Sequence, residues 1–155
     1  MKTRLLFTIT ILLLTTFFAC RNDIRLSASK SFDGAVWERF DYLHFDFQID
    51  EPQREYNVQA FVRYNEDFKD EKLPVNVVMV MPSGEERIRE YVLALRDETK
   101  KPLGASRDGY YELTTSLRQG LTINETGKMQ VEIENLRSKA YTEGIVTFGI
   151  ILESR

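Results

Sequence analysis

The chain has a single cysteine, Cys20, a single histidine, His44, no excess of basic residues and only one long apolar run, and each shortage narrows what it can be. One cysteine admits no internal disulfide. With so few Cys and His, a zinc site of the usual kind has no ligand set. Any Ser–His–Asp or Cys–His arrangement would have to be built on His44, which lies one position from Asp46 in an alternating stretch, as a solvated strand face produces by chance. A formal charge of −3 offers no electrostatic footprint for nucleic acid and no polybasic patch for anionic lipid. Beyond the first nineteen residues no apolar run reaches the roughly 18 residues that a membrane-spanning helix needs.

What is present starts with "MKTRLLFTITILLLTTFFA" (1–19). Lys2 and Arg4 lead, Leu5 to Phe18 carries no charge, and Ala19 is a small residue directly before Cys20. A positive start, an apolar region of roughly 7–15 residues and a small residue at the end are the parts of a secretory signal peptide. A small residue followed by cysteine at this place resembles a bacterial lipobox, with Phe17 and Phe18 standing where Leu and a smaller residue are usual. That resemblance implies lipid joined to the Cys20 thiol and removal of 1–19 as a lipoprotein signal peptide. The plainer alternative is an ordinary leader that ends near a free thiol. Two or three acyl chains on one residue would anchor the chain stably, because a single chain binds only marginally.

Without the leader the chain runs to 136 residues and loses Lys2 and Arg4 but no acid, so its formal charge moves from −3 to −5. That length suits one domain with a core of its own. Residues 20–35, which include the small, polar "RNDIRLSASKSFDGA", read as a lipidated N-terminus and tether, and 36–155 as the folded domain.

Alternation dominates that domain. In "FDYLHFDFQI" (40–49) Leu43, Phe45, Phe47 and Ile49 share one face, and in "EYNVQAFVRY" (55–64) Tyr56, Val58, Ala60, Val62 and Tyr64 do the same. Period two over such lengths predicts half-buried strands. "LPVNVVMVM" (73–81) is nearly all apolar and predicts a strand buried on both sides, closed by a "PSG" turn. "ERIREYVLALR" fits a helical stripe or a strand; its place across a short turn favours the strand. "DETKKPLGASRDG" (97–109) reads as a loop, "YYELTTSL" and "LTI" as short strands, "KMQVEIEN" as an alternating strand, and "IVTFGIIL" (145–152) as a central one. About eight short strands with regular turns predict an all-β fold, an antiparallel β-sandwich.

Little here suggests chemistry. "NEDFKDE" (65–71) lacks the glycine and spacing of a calcium loop, and "TGK" (126–128) lacks the residues of a phosphate-binding loop. The 24 acids contain no pair that stands out for glycoside hydrolysis. Aromatics are the remaining resource: Trp37, Tyr64, Phe68, Tyr110 and Tyr111 flank the expected loops. Exposed, they could stack on sugar or anchor a protein partner; turned inward, they plug the ends of a sandwich. Tyr110 and Tyr111 are adjacent in a strand and must point to opposite faces.

The order of these features resembles the gliding motility-associated lipoproteins of the GldH type, known from Bacteroidetes, over nearly the whole chain after Cys20. The matching features are the lipobox cysteine, Trp37 ahead of "FDFQID", "EYNVQAFVRYNEDF", "VVMVMPSG", "GKMQVEIENLRSK" and "EGIVTFGIILE". Two stretches depart from the pattern: "KKPLGASRDG" keeps only Leu103 and Gly104 of a Gly-x-Trp-Leu-Gly stretch, and Tyr64 intervenes between Arg63 and Asn65. The resemblance implies a non-enzymatic accessory lipoprotein of the cell envelope that works beside other gliding lipoproteins and the type IX secretion machinery, with no cofactor, metal or nucleic acid. The single acid in "RND" after the cysteine favours the periplasmic face of the outer membrane. Two other readings stand beside it: a surface glycan-binding module, motivated by the sandwich and the loop aromatics and testable at Tyr110 and Tyr111, and an enzyme resting on His44 alone.

Overall fold

The computed structural model describes residues 23–154. Residues 1–19 and Cys20 therefore lie outside the described residues. Eleven strands follow in the described chain: β1 Arg25–Ser31, β2 Val36–Glu38, β3 Leu43–Ile49, β4 Arg54–Tyr64, β5 Lys72–Val80, β6 Glu86–Ala94, β7 Ala105–Arg107, β8 Tyr110–Ile123, β9 Gly127–Asn135, β10 Tyr141–Glu143 and β11 Ile145–Ser154. They form a five-stranded sheet ordered β1-β11-β4-β8-β7, a four-stranded sheet ordered β3-β9-β5-β6 and a β10-β2 ribbon. Every pairing is antiparallel. The two larger sheets face each other as a sandwich, and no described helix is long and apolar enough to cross a membrane.

The period-two pattern sets the facing. Leu43, Phe45, Phe47 and Ile49 of β3 are buried while His44, Asp46 and Gln48 are exposed. From the opposite sheet Tyr56, Val58, Ala60, Val62 and Tyr64 of β4 fill the same core, joined by Phe148, Ile150 and Leu152 of β11. At one margin Trp37 on β2 is fully buried, stacked on Phe32 at 5.2 Å and tilted against Phe148 at 5.3 Å. Its indole Nε1 donates to the Asp41 carbonyl at 2.8 Å, so the polar end of the ring is satisfied.

Several expectations change. The strands number eleven rather than eight: β1 and the three-residue pieces β2, β7 and β10 are added, and two expected pieces merge into β8. The stretch expected as a tether contains β1, which pairs with β11 from Arg25–Glu153 to Ser31–Thr147. Leu26 and Ala28 rest half-buried against the core, and the intervening serines conceal that alternation. The segment 97–109 ends in a β7–β8 hairpin whose turn, Asp108–Gly109, has positive φ at both residues (51° and 82°), as two-residue Asp-Gly turns favour. The pieces expected at 110–117 and 121–123 are one strand, β8, interrupted by register shifts opposite Val58. Finally, β5 is buried on one face only: Leu73, Val75, Val77 and Met79 point inward, and Pro74, Asn76, Val78 and Val80 are half-buried on the outer face.

Candidate functional site

Three long connections meet at one end of the sandwich: 65–71 between β4 and β5, 95–104 between β6 and β7, and 136–140 between β9 and β10. Backbone that leaves a sheet must find other hydrogen-bond partners. Here side chains supply them. Arg96 is almost completely buried; its Nε donates to the Phe68 carbonyl at 2.7 Å, Nη1 to the Lys100 carbonyl at 2.9 Å and Nη2 to the Glu66 carboxylate at 3.0 Å. One guanidinium thus joins two of the connections through its rigid fork of donors. The buried Tyr64 hydroxyl is aimed at the carbonyls of Leu95 and Leu103, tying β4 to both ends of the second connection. Burial holds that phenol above its ordinary pKa.

Phe68 is fully buried, edge-on to Tyr64 at 6.1 Å and under the Arg137 guanidinium at 5.3 Å, while Arg137 also pairs with Asp70. Asn135 is buried, donates to Thr142 Oγ1 at 2.8 Å and accepts from the Arg137 amide at 3.1 Å, which fixes the third connection. Gly144, at φ +84°, passes so close that a Cβ there would sit 2.0 Å from the Phe68 amide nitrogen. Its carbonyl accepts from the Asn65 amide at 2.9 Å.

The outer part of this end is ionic. Tyr111 donates its hydroxyl to Glu66, and that bond together with Arg96 holds the Glu66 carboxyl below its ordinary pKa. The same Glu66 contact pushes the Tyr111 phenol up. Lys100 pairs with Glu71 at 2.6 Å and holds that carboxyl low as well. Between the first and third connections lies a groove of about 320 Å³, lined by Asp67, Lys69, Asp70, Arg137, Lys139 and Tyr141 among others. A shallower hollow of about 600 Å³ continues past Arg137 over Lys72, Lys100 and Leu136.

The two most exposed of the described aromatic side chains are Tyr141, which lines the groove, and Phe40, on the 39–42 turn. Phe40 is 74 % exposed, with the Arg39 guanidinium 5.4 Å from its ring, and Tyr141 is 59 % exposed. The Arg39 amide donates to the Ala140 carbonyl at 2.9 Å, which joins the 39–42 turn to the third connection. Exposed aromatics beside arginine, over a rigid and partly charged base, have the composition that protein interfaces favour.

The residues expected from sequence divide accordingly. Trp37, Tyr64 and Phe68 are buried and brace the loops; they offer no surface to a partner, because each ring is enclosed by the aromatic and loop packing just described. Tyr110 is exposed. Tyr111 is half-buried, its ring 5.5 Å from Tyr64 and its hydroxyl engaged by Glu66. The two tyrosines do occupy opposite faces. His44 lies on the solvent face with Nδ1 3.4 Å from Glu132. Among the described residues no group of three His, Cys, Asp or Glu is placed to hold a metal. Sequence reasoning missed Phe40 and Tyr141. Phe40 had a signal, since it falls on the polar phase of the alternation that Leu43 begins.

No curated protein matches this chain. Among solved structures, a cellulose-specific carbohydrate-binding module, CBM28, is similar at TM-score 0.45 and 14 % identity, covering 84 % of this chain and 73 % of that one. The complex of the Aeromonas sobria serine protease with its chaperone ORF2 is similar at TM-score 0.39 and 11 % identity, with 94 % of this chain covered and 29 % of that one. TmCBM61, solved with β-1,4-galactotriose, follows at TM-score 0.34 and 9 % identity, with 84 % of each chain covered. Likenesses this distant carry no argument about what the chain does. The family model is more specific: residues 26–152, spanning β1 to β11, match the GldH lipoprotein family, and the chain belongs to it.

Proposed function

We propose that this envelope lipoprotein is a non-enzymatic scaffold, held to the outer membrane by lipid on Cys20, facing the periplasm, and docking other components of a gliding motility or type IX secretion-associated complex through its loop end. The observation that carries the docking surface is exposed Tyr141 with Arg137 and Lys139 in the lining of the groove, joined through the Arg39–Ala140 backbone bond to the turn that bears exposed Phe40 and Arg39. Anchored to a surface, such a protein needs only a modest interface, because confinement raises effective concentration. The groove's mixed charges suit a polar protein rim, and no nucleophile–base pair lines it. Of the two adjacent tyrosines weighed for a glycan platform, Tyr111 is engaged by Glu66 and only Tyr110 is exposed.

Two measurements test the reading. Cys20→Ala should leave a folded domain that no longer fractionates with membranes, and a variant that stays membrane-bound would refute the lipid anchor. Crosslinked pull-downs from envelopes should recover other envelope lipoproteins or secretion components with the wild type. Phe40→Ala/Tyr141→Ala should lose them, and unchanged recovery would remove the loop end from the proposal.

A further inference from the structure

The four-stranded sheet leaves a nine-residue strand, β6, as an open edge. Its register with β5 sets the facing. Arg87, Arg89 and Tyr91 stand opposite the buried Met79, Val77 and Val75 and so belong to the inner row, whereas Glu86, Ile88, Glu90 and Val92 stand outside, opposite Val80, Val78, Asn76 and Pro74. Ile88 is 65 % exposed and Val92 62 %. Between this edge and β8 runs a groove of about 340 Å³ whose lining includes Arg87, Arg89 and Arg118. The register shift in β8 places Arg118 opposite Val58, an inward position, as bulges do when they re-aim a side chain. Arg87 pairs with Glu85, and Arg89 covers the Tyr91 ring at 5.5 Å; among the described residues neither Arg89 nor Arg118 forms an ion pair.

We infer that β6 is a docking edge for an extended segment of a partner protein that carries acidic side chains at alternate positions. Free backbone groups on an edge can accept an added strand, and alternate pockets then select its side chains. The inner row of such a strand would lie beside Arg87 and Arg89 and beneath Arg118, where acids complete the charge. Its outer row would lie beside Ile88 and Val92, where apolar side chains are covered. A second copy of this chain fits poorly: antiparallel pairing of β6 with itself sets inner row against inner row, and like charges directly opposite are destabilising. Charges pointing inward from an edge also guard it against self-association. This edge is separate from the loop-end groove, and the inference stands or falls without the proposed function.

The test uses the full chain in detergent micelles and three fluorescent octapeptides: alternating Val and Glu, alternating Val and Lys, and the Val/Glu peptide N-methylated at alternate amides. The Val/Glu peptide should bind in a saturable, salt-sensitive way, with the Val/Lys and N-methylated peptides each at least about tenfold weaker. Arg89→Glu/Arg118→Glu should reverse the preference to the Val/Lys peptide, its circular dichroism confirming an intact sheet. Absence of saturable Val/Glu binding, equal binding of all three peptides by the wild type, or an unchanged preference in the folded double variant would overturn the inference. So would a concentration-dependent dimer abolished by Ile88→Lys, which would give the edge to a second copy.

Discussion

The two ends of the sandwich solve the same problem by different means. At one end the connections are short, 50–53, 81–85 and 124–126, and 81–85 closes on its own backbone. In 81–85 the Met81 amide donates to the Glu85 carbonyl and the Gly84 amide to the Met81 carbonyl, both at 2.9 Å, with Gly84 at φ +84°. The Glu85 amide adds a bond to Ser83 Oγ at 3.3 Å. At the other end the connections are longer: 65–71 and 95–104 form their own turns, with the Phe68 amide donating to the Asn65 carbonyl and the Asp97 and Leu103 amides to the Lys101 and Leu95 carbonyls, and Arg96, Tyr64 and Asn135 are drawn inward to hold the connections in place. A short turn is specified locally, by which residues tolerate which φ. A braced loop is specified by residues that are distant in sequence. Bracing leaves the outer surface of those loops free to carry aromatics and charges, which is where a rigid scaffold usually places its function.

That contrast can be broken by removing a brace. Gly144→Ala should have the largest effect, about 3–4 kcal/mol, since it adds left-handed strain to a clash with the Phe68 backbone. Urea denaturation would measure it, and hydrogen exchange should show the 65–71 segment opening before 81–85. Arg96→Ala should cost about 2 kcal/mol by leaving two enclosed carbonyls unbonded, again with exchange increased at the loop end alone.

pH sharpens the comparison. At the loop end the carboxyls of Glu66, Glu71 and Asp97 are depressed, held low chiefly by Tyr111, Lys100 and Thr99 respectively, and at the short-turn end Arg87 holds the Glu85 carboxyl low. Each contributes stability above its unfolded pKa that is lost as pH falls through the lower folded value. The raised Tyr111 phenol contributes below its ordinary value of 10.0 and loses that contribution as pH rises beyond it. Glu66→Gln should therefore lower Tm at neutral pH, with the difference from the wild type shrinking at both the acid and the alkaline extremes. A constant difference across pH would contradict the assignment. The smallest effect belongs to the short-turn end: Ser83→Ala should change stability by less than about 0.5 kcal/mol and leave exchange at the loop end untouched.

Much of the fold was legible because alternation is a local property. Leu43 to Ile49 and Tyr56 to Tyr64 announced both their strands and their buried faces. β1 was not, since Ser27, Ser29 and Ser31 dilute its pattern and its stability comes from a ladder to residues more than a hundred positions away. β7 and β10 share that dependence on partners. The loop-flanking aromatics were found as a set, but apart from Tyr64, which the alternation of β4 turns inward, their facing was not readable. Trp37 and Phe68 are buried because distant connections fold over them. A buried Arg96 left no mark in sequence at all, since its role depends on carbonyls supplied by Phe68 and Lys100.

The pairing of β1 with β11 has a consequence for height. Ile24 and Ser154 exchange hydrogen bonds at 2.7 and 2.8 Å at the start of β1, which lies at the short-turn end. With lipid on Cys20 as proposed, only three residues lie between the hook and Ile24, four residue steps that allow a leash of at most about 14 Å. The eleven residues of β4 then carry the chain about 35 Å farther before the long connections begin. The braced end would stand off from the bilayer like the head of a short post, meeting partners that rise from the membrane or span the space beyond it rather than those embedded in it.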